Sequence, residues 1–263
     1  VIPAHVLVTV ARNGGLVLAR YNGEEMNGML FGFVGMTARP NRPKFKHCSH
    51  ILGVLEDERS SGIGFKLKRA QWQMVRNQGL ELATWTFDPL LSRNAYLNIS
   101  KLGAVCNLYK RDVYGDMRDA LNAGLGSDRF QVDWWLNSPR VERRLSKHAR
   151  TQLDLAHYLA GDAQHYNRTN LDDNGYPVPL EAVLELPTDP HDLPPLLLVE
   201  IPPDFQALRD ADMDLAGIWR QHTRTAFELL FASEYMLTDF VFLPGASARA
   251  YYVLSRGDQT LGA

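Results

Sequence analysis

The chain has 263 residues, of which 45% are hydrophobic and 22% charged, with a net charge of -2. Such a composition belongs to a globular protein able to bury one large core or two modest ones, and two are expected. The near-neutral balance supplies no overall basic field, so a nucleic acid held through its phosphates would need a local patch. None is apparent: the densest basic run, residues 140–150 (RVERRLSKHAR), follows Pro139 and includes Glu142, as a solvated helix or linker does.

In chain order, residues 3–12 read as a short helix ending at Gly14 and Gly15. Residues 16–21 (LVLARY) and 29–36 (MLFGFVGM) read as strands around the turn Asn22-Gly23, together a hairpin. A loop rich in Pro, Lys and Arg (38–46) leads to a strand at 47–55. A helix then runs to Asn77, with Ile63, Leu67, Ala70 and Met74 at helical spacing and Gly79 as its stop. Residues 80–87 (LELATWTF) make a strand too apolar for a wet face. Asp88-Pro89 supplies an N-cap and a first-turn proline for a helix over 90–102, ended by Gly103. Strands near 104–114 and 130–136 complete a mixed sheet with helices on its faces.

From about residue 140 the texture changes. Residues 171–203 are rich in Pro, Asp and Glu and contain one apolar strand, 196–201 (LLLVEI). A long helix is expected over 205–231, with Leu208, Leu215, Trp219, Ala226 and Leu230 on one stripe. A hairpin of 238–243 and 249–254 closes the chain. The fold class is therefore α+β, with a mixed α/β sheet at residues 1–141 and a smaller α+β domain at 142–263.

Cys48 and Cys106 both fall in segments that read as buried strands, where a free thiol behaves as a small hydrophobe, so no disulfide framework is expected. No run of 18 apolar residues exists. The start, VIPAHVLVTVARNGG, lacks the charged region and small-residue cleavage site of a signal peptide, and a cytoplasmic protein without a membrane partner is expected. The chain begins without Met, so further N-terminal residues are expected in the natural protein. No metal site is expected.

The most informative stretch is LGVLEDERSSGIGFKLKRAQ, residues 52–71, in which Gly62 and Gly64 stand where an apolar strand gives way to a cationic helix. Glycine costs roughly 1 kcal/mol against alanine inside a helix, so two of them in a first turn point to a backbone kept bare for an approaching group. Strand, exposed turn and helix N-terminus make an anion site, because the first helical amides lack intrahelical partners and the dipole adds partial positive charge. The Walker pattern needs Gly-Lys-Ser/Thr, absent here, and the dinucleotide fingerprint needs a third glycine where Leu67 stands.

The pattern present is Arg-x-x-Gly-x-Gly, Arg59 to Gly64, after the strand ILGVL. It resembles the pyrophosphate loop of the GNAT superfamily of acyl-CoA-dependent N-acyltransferases. Residues 92–104 (SRNAYLNISKLGA) resemble that superfamily's second cofactor segment, a helix with a Lys-Leu-Gly exit into the next strand. The resemblance covers roughly residues 1–141, and the superfamily's usual first strand and first helix are missing from it. It implies that the backbone of Arg59, Ser60, Ser61, Gly62, Ile63, Gly64 and Phe65 holds the pyrophosphate of acetyl-CoA or another acyl-CoA. It also implies that the strand end, Leu52, Val54 and Leu55, pairs with the pantetheine amides.

The reaction so implied moves an acyl group to an amine, most simply a small molecule such as an amino acid; a protein amine, or acyl-CoA binding without catalysis, are the alternatives. His50, on the strand entering the loop, stands where some arylalkylamine N-acetyltransferases carry a histidine that helps remove the amine proton. His47, on the opposite strand face, is the weaker candidate. Asn94 and Asn98 share a helix stripe at i, i+4 and are candidate cofactor contacts. Where many members place a thiolate-protonating tyrosine, this chain has Ile99, leaving water or Tyr109 ahead of Tyr96 as the acid. Arg220 and Arg224 read as an exposed basic face. Trp134-Trp135 and Tyr251-Tyr252 each send one ring inward and one outward. The C-terminal domain is expected to shape the acceptor site or a homodimer interface.

Overall fold

The computed structural model describes residues 2–37, 43–115, 125–146, 152–181 and 183–257. Residues 38–42 of the expected basic loop and 147–150 of the basic run lie outside them. The chain divides into two compact units, Val1–Trp85 with Asp133–Ala149, and Thr86–Val132 with Arg150–Ala263. Each unit therefore draws on two stretches of sequence, and the boundary expected at residue 141 falls inside a helix, α4 (Pro139–Leu145). Ser138 caps that helix by accepting from the Val141 amide at 3.3 Å.

The first unit begins with α1 (Ala4–Arg12) and the antiparallel hairpin β1 (Leu16–Asn22) and β2 (Glu25–Met36). Strand β3 (Phe45–Val54) pairs antiparallel with β2 from Met36↔Phe45 to Gly28↔Val54. A 3₁₀ turn at Glu56–Glu58 leads to α2 (Ile63–Asn77), and β4 (Leu82–Phe87) then lies parallel to β3. The division between units falls within β4 and within β6 (Arg129–Trp135). Helix α2 rests on the sheet through Ile63 and Leu67, packed with Leu18, Leu30, Leu52 and Val54.

The buried line of α2 is Ile63, Leu67, Lys68, Gln71 and Val75, not the apolar set expected from spacing. Met74 is 41% exposed. Two polar side chains thus take places that a purely hydrophobic reading gives to Ala70 and Met74.

In the second unit, Asp88 does not cap a helix. Its Oδ1 accepts from the Leu90 amide at 2.9 Å, and the helix proper is one turn, α3 (Ser92–Ala95), with Leu91 at its N-cap position. It continues as a π-helix over Tyr96–Lys101, wider than the α-turn expected. Strand β5 (Val105–Lys110) follows, and later come α5 (Leu155–Ala160), β7 (Gln164–His165), β8 (Thr169–Leu171) and β9 (Pro177–Pro179). Strand β10 (Leu196–Ile201) lies where LLLVEI predicts it.

The long helix is two: α6 (Phe205–Ala211) and α7 (Met213–Ala232). Asp212 between them is extended, and its Oδ1 accepts from the Leu215 amide at 2.9 Å, capping α7. The hairpin β11 (Met236–Leu243) and β12 (Arg249–Ser255) completes the order β5-β11-β12-β10-β7, with β8 and β9 as a separate ribbon. Phe130 centres the core, meeting Phe87, Tyr109, Phe227 and Tyr252 edge-to-face at 4.7 to 5.7 Å. Tyr251 and Tyr252 are both buried, since both faces of β12 are covered, whereas Trp134 is buried and Trp135 36% exposed.

Candidate functional site

Strand β3 changes character at its middle. On the β2 side, Phe31 faces Ile51 and Gly32 faces Ser49, so His50 is the extra residue of a bulge. On the other side, the described ladder to β4 comprises only His47↔Ala83 and Cys48↔Thr84. From Ser49 to Val54 the strand therefore runs past the end of its β4 pairing. An extended chain of amide and carbonyl groups on that edge suits a ligand that can itself pair like a strand.

The strand delivers the chain to the turn before α2. Leu52 and Val54 pack toward α2, Leu55 is 47% exposed, and the Leu55 amide donates to the Asn27 carbonyl at 3.1 Å. Arg59 pairs with Glu56 at 3.0 Å on the surface, and the Ser61 hydroxyl donates to the Glu58 carbonyl at 2.6 Å. The chain then turns through two left-handed residues, Ser60 (φ 71°) and Gly62 (φ 83°). Gly62 is the N-cap residue of α2 and, as a glycine, supplies no side-chain cap of its own.

A Cβ placed on Gly62 would meet no atom within 4 Å. Glycine is thus required here by backbone conformation, not by neighbouring protein, and the space over the turn stays open. The first intrahelical bond runs from the Lys66 amide to the Gly62 carbonyl at 3.0 Å. The N-terminus of a 15-residue helix beside such an open turn suits a phosphate group on dipole grounds.

The two strand histidines have opposite surroundings. His50 is exposed and stands against Phe31 and Phe33, with ring centroids at 6.0 and 5.9 Å. His47 is fully buried, its Nε2 accepting from Gln71 Nε2 at 2.9 Å. Burial first, and the Lys68 charge second, push the His47 imidazole down to about 4. Ser49 and Lys68, neither singled out by the sequence reading, continue this chain: the Ser49 hydroxyl donates to Gln71 Oε1 at 3.2 Å and accepts from Lys68 Nζ at 2.8 Å.

The remaining expected residues belong to the second unit. Asn94 is half-buried and Asn98 buried, and the π-helical turn between them replaces the α-helical i, i+4 stripe from which they were paired. Tyr109 is buried and donates its hydroxyl proton to Asp128 Oδ2 at 2.7 Å. Burial and the Asp128 carboxylate both raise its pKa. Arg220 and Arg224 are not an exposed face. Arg220 is buried and grips Asp88 at 2.9 and 2.6 Å, while Arg224 grips Asp128 with two bonds of 2.8 Å. Their charges are spent inside the protein.

Strand edge, bulge and glycine turn together form a candidate anion-binding site at the end of an extended strand. The chain matches no protein-family model and no curated protein. Among solved structures it is similar to a GNAT family acetyltransferase from Elizabethkingia anophelis with acetyl-CoA bound, at 12% identity and a TM-score of 0.39, over 51% of this chain and 83% of that one. It is similar to an IAA acetyltransferase from Bacillus cereus at 16% identity and a TM-score of 0.39, over 50% and 83%. It is also similar to Chaetomium thermophilum Naa20 in complex with a bisubstrate analogue at 12% identity and a TM-score of 0.43, over 57% and 80%.

Proposed function

We propose that the chain is an acyl-CoA-dependent N-acyltransferase that moves an acyl group, with acetyl as the first choice, to a small amine such as an amino acid. The observation that supports this reading best is the continuity of β3: it leaves β4 after Cys48, carries its edge to Val54, and turns through the left-handed Gly62 into α2. A pantetheine arm pairs with such an edge, and a pyrophosphate fits the turn that follows. Acyl-CoA supplies the activated thioester carbonyl. The amides of Gly62, Ile63 and Gly64 hold the pyrophosphate, and Leu52 and Val54 offer backbone partners to the arm. The Leu55 amide and carbonyl are instead taken by Asn27 and Glu58, and the Ser61 amide by the Glu58 carbonyl.

His50 then takes the amine proton. It lies at the bulge, where β3 has parted from β4, and an exposed imidazole is reachable by an acceptor. The test is thiol release from acetyl-CoA against a panel of amino acids, arylalkylamines and peptides with free N-termini, run beside calorimetric titration with CoA. Binding with thiol release and acylated amine supports the enzyme, and the responding panel member names the acceptor class. Binding without turnover identifies a non-catalytic acyl-CoA module, and no binding overturns the proposal. His50→Gln is expected to lower kcat while leaving CoA affinity nearly intact.

A further inference from the structure

Lys68 is 2% exposed, and burial holds its amine well below the usual lysine range. Its Nζ lies 3.5 Å over the Trp85 ring and 5.7 Å from the Trp134 ring, and it donates to Ser49 Oγ at 2.8 Å. Cation–π attraction to these rings favours the ammonium form. The desolvation of an ammonium in so dry a site outweighs it. An apolar side chain of similar length would fill the same volume without that cost, so the amine's contribution lies in where it fixes Ser49.

Ser49 is the residue immediately before the bulge. Lys68 and Gln71 hold it from the α2 side, while Phe31 and Phe33 flank His50. Strand β2 is shaped to admit this arrangement: a Cβ on Gly32, opposite Ser49, would lie 2.3 Å from His47 Nε2. The hydrogen bonds run one way, from Lys68 to Ser49, to Gln71, to His47, and use each polar partner in turn.

We propose that Lys68 is a positioning residue that acts through Ser49, setting the β3 bulge and with it the placement of His50. This rests on the acyl-CoA reading for its catalytic consequence, but not for its structural one. The structural arm is NMR of the full chain without ligand. Lys68→Met and Ser49→Ala are each expected to move the His50 ring resonances and the amides of residues 49–52 in the same pattern. The double variant should add nothing further, and Ser49→Thr, which keeps the hydroxyl, should restore the wild-type pattern.

The catalytic arm is thiol release from acetyl-CoA. Lys68→Met is expected to lower kcat about tenfold or more, since small misplacements of reacting groups are costly. KM for acetyl-CoA should stay within about twofold, because the pyrophosphate turn is untouched. Shifts confined to the surroundings of Trp85, or additive effects of the two substitutions, would overturn the proposal, as would an unchanged kcat in an active protein. If Lys68→Met does not fold, Ser49→Ala against Ser49→Thr carries both arms. A wild type that neither binds CoA nor releases thiol defeats the functional reading and leaves the NMR comparison to decide the coupling.

Discussion

Gly62→Ala separates the two reasons a glycine can be needed at the turn before α2. At φ 83° an L-residue is held in the left-handed region, which costs about 1–2 kcal/mol. The added methyl meets no protein atom within 4 Å, so no packing penalty joins that cost. A domain of this size loses about 2–4 °C per kcal/mol, which puts the expected fall in Tm at about 2–8 °C. If a pyrophosphate lies against the turn, the methyl also occupies its approach, and CoA affinity should fall at least tenfold, about 1.4 kcal/mol. Gly79→Ala is the matched control: φ is 78°, its Cβ also meets nothing within 4 Å, and it lies beyond the opposite end of α2. Thermal melts and calorimetric CoA titrations of both variants make the comparison. Equal Tm losses with CoA binding weakened only by Gly62→Ala support the site. A Gly62→Ala protein that binds CoA like wild type refutes it.

His47 should make stability depend on pH. Its imidazole titrates at about 4 in the fold and about 6.5 unfolded, so the unfolded chain binds the extra proton as pH falls. The stability it contributes is complete above pH 6.5 and declines by about 3 kcal/mol toward pH 4. Urea unfolding across that range should show wild type converging on His47→Gln, and parallel profiles would defeat the assignment. Arg220→Met leaves the buried Asp88 carboxylate without its bidentate partner, with only Arg129 at 3.6 Å, and should cost about 3–5 kcal/mol; a loss under about 1 kcal/mol contradicts the pairing. Tyr109→Phe removes a donor from Asp128 and should cost about 1–3 kcal/mol in chemical denaturation with kcat held. A fall of about 100-fold in kcat with CoA binding intact would instead make Tyr109 the proton donor.

Much of the first unit is legible in the chain because its signals are local. The first hairpin and the run from β3 into α2 follow from steric rules that act over a few residues, although the hairpin turn falls at Gly23-Glu24, not at Asn22-Gly23, and its second strand starts at Glu25, not at Met29. The strand LLLVEI and the final hairpin are read the same way, from apolar runs bounded by turns. Helical spacing on α2 went astray where it met polar partners: it passed over Lys68 and Gln71, since nothing near them in sequence announces that Ser49 and His47 await on β3. Likewise Arg220 and Arg224 look like a wet basic stripe until Asp88 and Asp128, 132 and 96 residues away in sequence, are brought against them. The bulge at His50 and the early end of the β3–β4 ladder depend on three strands at once. Backbone conformation is set by neighbours along the chain and can be read from it, whereas the burial of a charge or a change of register is decided by groups that only folding makes neighbours.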